Sequence, residues 1–412
     1  MFLSELKLDA IEPGSAIDTG AEEERFRALG QQAAAEVLAK RWESGNAEYV
    51  GDCPECGRQM KNLGMRPKEV RTLCGPMRLL RRIGYCEHCE KTVSVLDERL
   101  GIKESGITPG LQRVICRTAL EMAYEPTEAL LKDVLGFKPC SAREIERIAC
   151  KHGKEIEKVS DTIYTRPPQT KKVYSLSIDG TMIPGLADPE KHRIIWHEIK
   201  LATVTDVRDF EMPFYVASTE NAEGFGSRLC KNLQAMSITP DTMTQVIADG
   251  APWIWNQVDL HFPGVQQLLD FYHASEHLHK TAVAIWPKEK EKADAWWKER
   301  CDQLKTGKLD DFFASLKLIA KCYANSISDD AGPERLLKYF EANRNRLGYA
   351  EALKNNWPIG SGAVESAGRH LVQQRLKRSG MRWSLPGAQA ILNLRTCHRS
   401  GFFESYWEAL AA

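Results

Sequence analysis

Cys53-Pro-Glu-Cys56-Gly and Cys86-Glu-His-Cys89 are two C-x-x-C pairs with 29 residues between them. Each pair can present two thiolates to one ion, and four sulfur ligands favour tetrahedral zinc over hard cations. Four protein ligands leave no position open for water, so such a zinc is expected to be structural. His88 lies inside the second pair and is expected to be exposed rather than to ligate. A second set of candidates is made of carboxylates. Asp179 in SLSIDGT and Asp249 in VIADGAPW each follow an apolar run and precede glycine, which places both at the rim of a sheet. Taken singly, an Asp-Gly pair is an ordinary turn; taken with the strand contexts, the two suit Mg²⁺, an oxygen-seeking ion that keeps some of its waters. Glu365 in PIGSGAVESAGRH is the candidate third carboxylate, in the first turn of a helix started by the Gly-Ser-Gly turn. Three such groups can hold two ions about 3.5–4 Å apart, the arrangement of in-line phosphoryl transfer.

The elements that must position these groups can be read along the chain. Residues 1–50 form an N-terminal helical region, with good helix formers throughout residues 19–44. Residues 51–105 are expected to be a zinc ribbon, whose hairpins are VRTLC and MRLLRRIGYC. Residues 106–165 read as a helix-turn-helix-like block of three or four short helices. In it Gly136 closes one helix, and Ser141 with Glu144 forms a capping box at the start of the next. DNA reading and plain helical packing both fit that layout, and Arg143 and Arg147, one turn apart, are the contacts under the first. TRPPQTKK is a linker, since its prolines cannot continue a helix. Residues 166–274 then give three strands (VYSLSID, HEIKLATVTDV, EMPFYVAS), a helix, the strand TQVIAD, another helix, and VQQLLDFYH as a strand running into a helix. That order suits a mixed sheet of ribonuclease-H-like type. Residues 275–355 are helical, polar and Trp-rich, and residues 356–412 are helical with Gly and Pro breaks. The expected class is thus a multidomain α/β protein.

A length of 412 residues allows two to four domains, and 43% hydrophobic with 27% charged residues excludes wholesale disorder and a fibrous fold. The apolar runs are too short for a membrane span. MFLSELKLDAIEPG lacks the basic flank and cleavage site of a signal peptide, so the twelve cysteines point to a reducing cytoplasm. The eight outside the pairs read as small hydrophobes. Net charge is zero, but it averages opposed regions. Residues 1–52 carry five Lys/Arg against eleven Asp/Glu, residues 57–84 carry eight against one, and residues 366–399 carry seven against none. Arg71, Arg78, Arg81 and Arg82 on the ribbon read either as a solvated face or as contacts to a nucleic-acid backbone. Arg375, Lys377, Arg378 and Arg382 follow Glu365 without an acid nearby, where a DNA strand would be tracked. Trp357 and Trp383 flank that run and could stack on a flipped base or pack in the core.

The chain resembles bacterial insertion-sequence transposases of the DDE type, specifically the Kra-type family related to the Mutator-like group. The resemblance rests on the CPECG and CEHC pairs, TLCGPMRLLRRIGYCEHCEK, SIDGT, IADGAPWIW, DFYH, WPIGSGAVESA and RLKRSGMRW, from about residue 50 to residue 400. It implies catalytic carboxylates at Asp179, Asp249 and Glu365, with residues 275–355 as a helical insertion between the last two. It also implies an Asp-x-x-His motif at Asp270 and His273. His273 could orient a catalytic carboxylate or contact the scissile phosphate; it could equally be a satisfied core histidine. His277 and His279 on the same helix are expected to face solvent. The implied cofactors are Mg²⁺ (or Mn²⁺) and Zn²⁺. The implied partner is double-stranded DNA, bound by a homodimer that synapses two ends in the bacterial cytoplasm, at the nucleoid. The expected activity is metal-dependent DNA cleavage and strand transfer. A zinc-ribbon regulator without catalysis and a ribonuclease-H-like nuclease that cuts without joining are the alternatives.

Overall fold

The computed structural model describes residues 17–46, 50–102, 105–166, 173–188, 190, 193–323 and 331–411. Residues 1–16, which hold the segment tested as a signal peptide, and residues 167–172 of the expected linker lie outside the described residues. The chain divides into two units, Met1–Ala149 and Cys150–Ala412.

In the first unit the strands β1 (Lys61–Thr72), β2 (Gly75–Cys86) and β3 (Lys91–Val93) form an antiparallel sheet in that order. The two-residue period of MRLL decides which face is covered: Met77 and Leu79 are buried while Arg78 and Leu80 point to solvent. The helix Thr19–Glu43 starts at Asp18, whose side chain accepts from the Ala21 N–H at 3.0 Å. Its Ala35 and Ala39 are small enough to bring it down onto β2, where they pack with Val70, Met77, Leu79, Leu96 and Ile102. The expected short helices form as Pro109–Ala119 and Tyr124–Leu135, and as Ala142–Lys158, which begins in this unit and runs past its end at Ala149. Gly136 ends the second with φ of 74°, and the capping box is reciprocal. Ser141 N–H donates to Glu144 Oε2 at 3.0 Å, and Glu144 N–H donates to Ser141 Oγ at 3.3 Å.

The second unit is built on a mixed five-stranded sheet made of β4 (Tyr174–Ala187), β5 (Ile194–Asp206), β6 (Asp209–Ser218), β7 (Met243–Ala248) and β8 (Gln266–Leu269). Their spatial order is β6-β5-β4-β7-β8. The first three strands in sequence run antiparallel, and β7 and β8 lie parallel to β4. Val246, Ile247 and Ala248 are buried without alternation, because helices cover both faces of that part of the sheet. After β8 come the helices Phe271–Ile285, Lys290–Lys305, Leu309–Cys322, Pro333–Ala342 and Tyr349–Lys354. The helix Gly362–Ala367 follows and continues into a π-helical turn, Gly368–Gln373. Leu385–Arg399, almost wholly buried from Ala388 to Cys397, packs on β6, and Phe403–Ala411 ends the unit. No helix among the described residues is long and apolar enough to cross a membrane.

One strand differs from its expected form. β4 does not stop at Asp179 but runs on to Ala187 as a hairpin arm with β5, which pairs Asp179 with Leu201 and Gly180 with Lys200. On its other side the pairing with β7 ends at Ile178–Ala248. The rim on which Asp179 sits is therefore the point where β7 leaves β4, rather than the end of β4 itself.

Candidate metal centre and carboxylate site

The four paired cysteines come together. Their sulfurs all lie within 4.8 Å of one another, with Cys53 Sγ 3.9 Å from Cys89 Sγ and Cys56 Sγ 3.5 Å from Cys86 Sγ. Tetrahedral zinc at a Zn–S length of about 2.3 Å has its sulfurs about 3.8 Å apart, so the set fits that ion. The two turns share one device: the residue after the second cysteine is left-handed, Gly57 at φ 69° and Glu90 at φ 54°. Backbone groups close each turn, through the Gly57 N–H to Cys53 O at 2.8 Å and the Cys89 N–H to Cys86 Sγ at 3.4 Å. That N–H draws the Cys86 thiol down to about 7, while its neighbours, Cys56 first, push the Cys89 thiol up to about 12. Four sulfurs this close do not all ionise without a cation among them. Val50, Met60 and Val93 wall the cluster, and His88 is exposed.

The carboxylates are assembled over a much longer range. Asp179 and Asp249 are the first residues beyond the last paired positions of adjacent parallel strands, Ile178 and Ala248, so their side chains leave the sheet at one level. Each is fixed by a short backbone bond: Asp179 Oδ1 accepts from the Gly180 N–H at 2.7 Å, and Asp249 Oδ1 from the Ala251 N–H at 3.0 Å. Glu365 is exposed on the helix Gly362–Ala367, which packs on β4 and β5 through the buried Val364 and Ala367. Burial, followed by the charges of Asp249 and Glu365, raises the Asp179 carboxyl above its usual value, against the Gly180 N–H and His273, which lower it. Three other predicted site residues thus lie near enough to Asp179 to act on its carboxyl. Among the described residues, however, only the four sulfurs form a group of three or more candidate ligand atoms all within 4.8 Å. The three carboxylates therefore stand more openly than the sulfurs do.

Asp270, which the resemblance places in the Asp-x-x-His motif, is 1% exposed, and both its oxygens are engaged within the fold. Oδ1 accepts from the His273 N–H at 2.9 Å, capping the helix Phe271–Ile285, while Oδ2 accepts from the Ser361 N–H at 2.7 Å and from the Ser361 hydroxyl. The Asp270 N–H donates to Ala248 O at 2.8 Å, and Ser361 O accepts from the Glu365 N–H at 3.1 Å. Asp270 therefore ties the strand end before Asp249 to the turn before Glu365. His277 also departs from expectation. It is half-buried, with Nε2 3.3 Å from His273 Nε2 and its ring 4.6 Å from that of Tyr339, whereas His279 is more open and lies 3.6 Å from Asp294. Tyr339, 90 residues beyond Asp249 in a helix otherwise read as polar filler, carried no local signal.

The basic residues divide by what they touch. Arg71 donates to Pro139 O, Ser105 O and Glu144; Arg81 is paired with Asp97 and donates to Arg66 O. Arg375 is 1% exposed, with its guanidinium 5.1 Å from the Trp383 ring. These three are engaged within the fold, Arg375 wholly so, whereas Arg71 and Arg81 stay partly open to solvent. Arg78, Arg143, Arg147, Arg378 and Arg382 are exposed, and Arg82 is half-buried. Lys377 donates to Thr181 Oγ1 at 3.0 Å, which brings its ammonium within two residues of Asp179 along β4. Trp383 is a core residue: it is buried, its Nε1 donates to Leu376 O, and its backbone bridges to Pro184 and Leu186.

No family model and no curated protein matches the sequence. Among solved structures, the chain is similar to one described as the Drosophila P element transposase strand transfer complex. The identity is 12%, over 77% of this chain and 84% of that one, at a TM-score of 0.30. A likeness of that size carries no argument about fold or chemistry.

Proposed function

We propose that the second unit is a ribonuclease-H-like catalytic core and that the protein is a DDE-type transposase of the Kra-type family, which cleaves DNA at the ends of an insertion sequence and joins it to a target. The observation that carries this reading is the placement of Asp179 and Asp249 at one level on adjacent parallel strands, with Glu365 on a helix packed against the same strands. The spatial strand order, third-second-first-fourth-fifth with the first three antiparallel, supports the fold assignment.

Asp179, Asp249 and Glu365 would hold Mg²⁺ or Mn²⁺. Such ions would supply Lewis acidity for activating water or a 3′-hydroxyl and for stabilising the leaving oxygen. The carboxylates serve as ligands, so no covalent protein–DNA intermediate is needed. His273 lies close enough to offset their charge, and Lys377 supplies a cation beside β4 for a phosphate of the strand. Zinc at Cys53, Cys56, Cys86 and Cys89 holds residues 51–105 as a ribbon. The ribbon and the helical block 106–165 bind double-stranded DNA through exposed arginines such as Arg78, Arg143 and Arg147, mostly by phosphate contact. The core comprises residues 166–274 and 356–412, interrupted by the helical insertion 275–355, and two chains synapse two ends.

An end-labelled duplex carrying the element terminus and its flank, incubated with Mg²⁺ or Mn²⁺, tests the reading. Cleavage at the terminus and transfer of the released 3′ end to a second duplex are expected. Cleavage without joining would leave a nuclease, and binding without either would leave a regulator.

A further inference from the structure

A cavity of about 1170 Å³ opens beside Asp249, and its walls come from segments far apart in sequence. The helix Phe271–Ile285 contributes His273, His277 and Lys280, and the helix Pro333–Ala342 contributes Arg335 and Tyr339. The Tyr339 ring is pressed against the Asp249-Gly250 turn so closely that a Cβ on Gly250 would lie 2.7 Å from Tyr339 Cε2. Its hydroxyl is enclosed and has no hydrogen-bond partner among the described residues. The ring thus forms a closed floor to the cavity under the Asp249-Gly250 turn, and the groups that face its open space are those of the two helices.

Charge is graded along the cavity. Toward the turn, burial and then the charges of Asp249 and Asp270 hold the Tyr339 hydroxyl above its usual range. Toward the helix faces, burial and then the charges of His273, Lys280 and Arg335 hold His277 below its usual value, against Glu276. A ligand with a metal-bound anionic group at one end and a second anion at the other matches that gradient. A nucleic-acid strand, with one phosphate per nucleotide, has this form.

We infer that this cavity is a subsite for a single backbone phosphate of the DNA strand, adjacent to the phosphate handled at Asp179, Asp249 and Glu365. Arg335 takes its oxygens with the planar fork that suits phosphate, and His277 and Lys280 add donors and charge on the same wall. The inference rests on the proposed reading of the carboxylate site and adds to it a phosphate-binding site built by the helical insertion.

The full-length, zinc-loaded protein is mixed with duplexes of the element end in which one phosphate at a time is replaced by a neutral methylphosphonate. Ca²⁺ replaces Mg²⁺, so that affinity is read without cleavage. The wild type should lose about tenfold in affinity at one position near the terminus, the size expected for a lost charge-assisted contact. Arg335→Met should bind the unmodified duplex about tenfold more weakly and be insensitive at that position alone, keeping the wild-type pattern elsewhere. Lys280→Gln, an exposed change that leaves the fold alone, should halve that sensitivity. Equal sensitivity of wild type and Arg335→Met at every position overturns the subsite. So does a deoxynucleoside monophosphate that competes as well as the strand, since the cavity would then be a nucleotide pocket. If the interference pattern is as expected but Mg²⁺ supports no cleavage, the enzyme reading fails while the phosphate site stands.

Discussion

The two candidate metal centres of this chain are built in opposite ways. The sulfurs of the first come from two turns in one short region, and their spacing already matches tetrahedral zinc. The carboxylates of the second come from positions 179, 249 and 365, stand farther apart, and are held in relation to one another by a residue that ligates nothing, Asp270. A local site is specified by its own turns. A distributed one must be specified by the packing of the whole unit, so it needs braces that look nothing like ligands. The zinc centre should therefore fail by losing its fold, and the carboxylate site should fail by losing its function first.

The largest expected effect is at the sulfurs. Cys56→Ser or Cys89→Ser should release zinc and unfold the ribbon, because structural zinc contributes about 10–16 kcal/mol in small zinc domains. Metal analysis and limited proteolysis across residues 51–105 read both consequences. A wild-type protein with less than about half a zinc per chain, unchanged by the substitution, would remove the local half of the comparison.

Amide substitution of a carboxylate should behave oppositely. Asp179→Asn, Asp249→Asn and Glu365→Gln should each abolish cleavage while DNA binding and fold persist, since an amide keeps shape but loses the charge that holds Mg²⁺. Stability should even rise in the metal-free protein. The Asp179 carboxyl is held above its usual value, 3.8, by burial and then by its acidic neighbours. Its protonated form therefore suits the fold, and the metal-free wild type should lose stability as pH rises through that raised value. Asp179→Asn should melt higher than wild type at neutral pH without divalent ions, and the gap should close below pH 3.8. A gap that stays constant with pH would show that the fold does not raise the Asp179 carboxyl.

Asp270 tests the brace itself. In Asp270→Asn one oxygen is replaced by an NH₂ group that cannot accept from the Ser361 or His273 N–H. Loss of a charge-assisted bond there should cost about 2 kcal/mol. The more telling readout is the Mg²⁺ concentration for half-maximal cleavage, which should rise several-fold as Glu365 loses its register with Asp249. A loss of stability with unchanged Mg²⁺ dependence would make Asp270 a plain helix cap.

These contrasts also explain what could be read from the sequence. The cysteine pairs, the hairpin of β1 and β2, the capping box at Ser141 and the Gly136 stop all depend on residues near one another, and local chemistry exposed them. The end of β4 was misplaced because Asp-Gly is a turn signal that pairing with β5 overrides. The bracing bonds of Asp270 are not legible in the DFYH motif because its partner Ser361 lies 91 residues away. Arg71, Arg81 and Arg375 looked like a basic surface because charge composition does not reveal an ion pair with Glu144 or Asp97, or a stack on Trp383.

The smallest effect sharpens that last distinction. Arg78→Ala and Arg147→Ala, both at exposed positions, should weaken DNA binding without loss of stability. If each contacts one phosphate, the log–log salt slope should fall by about 0.9 per residue, since each contact releases condensed counterions. Arg81→Ala should do the reverse. Its guanidinium is largely covered and paired with Asp97, which is 6% exposed, so truncation leaves a buried carboxylate with only Lys68 to balance it. The expected result is a lower melting temperature with an unchanged salt slope. Titrating the three single variants against one duplex at several salt concentrations separates the two classes, because only a phosphate contact changes the slope. If Arg81→Ala flattens the slope as much as Arg78→Ala, its ion pair opens on binding and burial is a poor guide to which arginines meet DNA. If none of the three does, the exposed ribbon arginines are a solvated face.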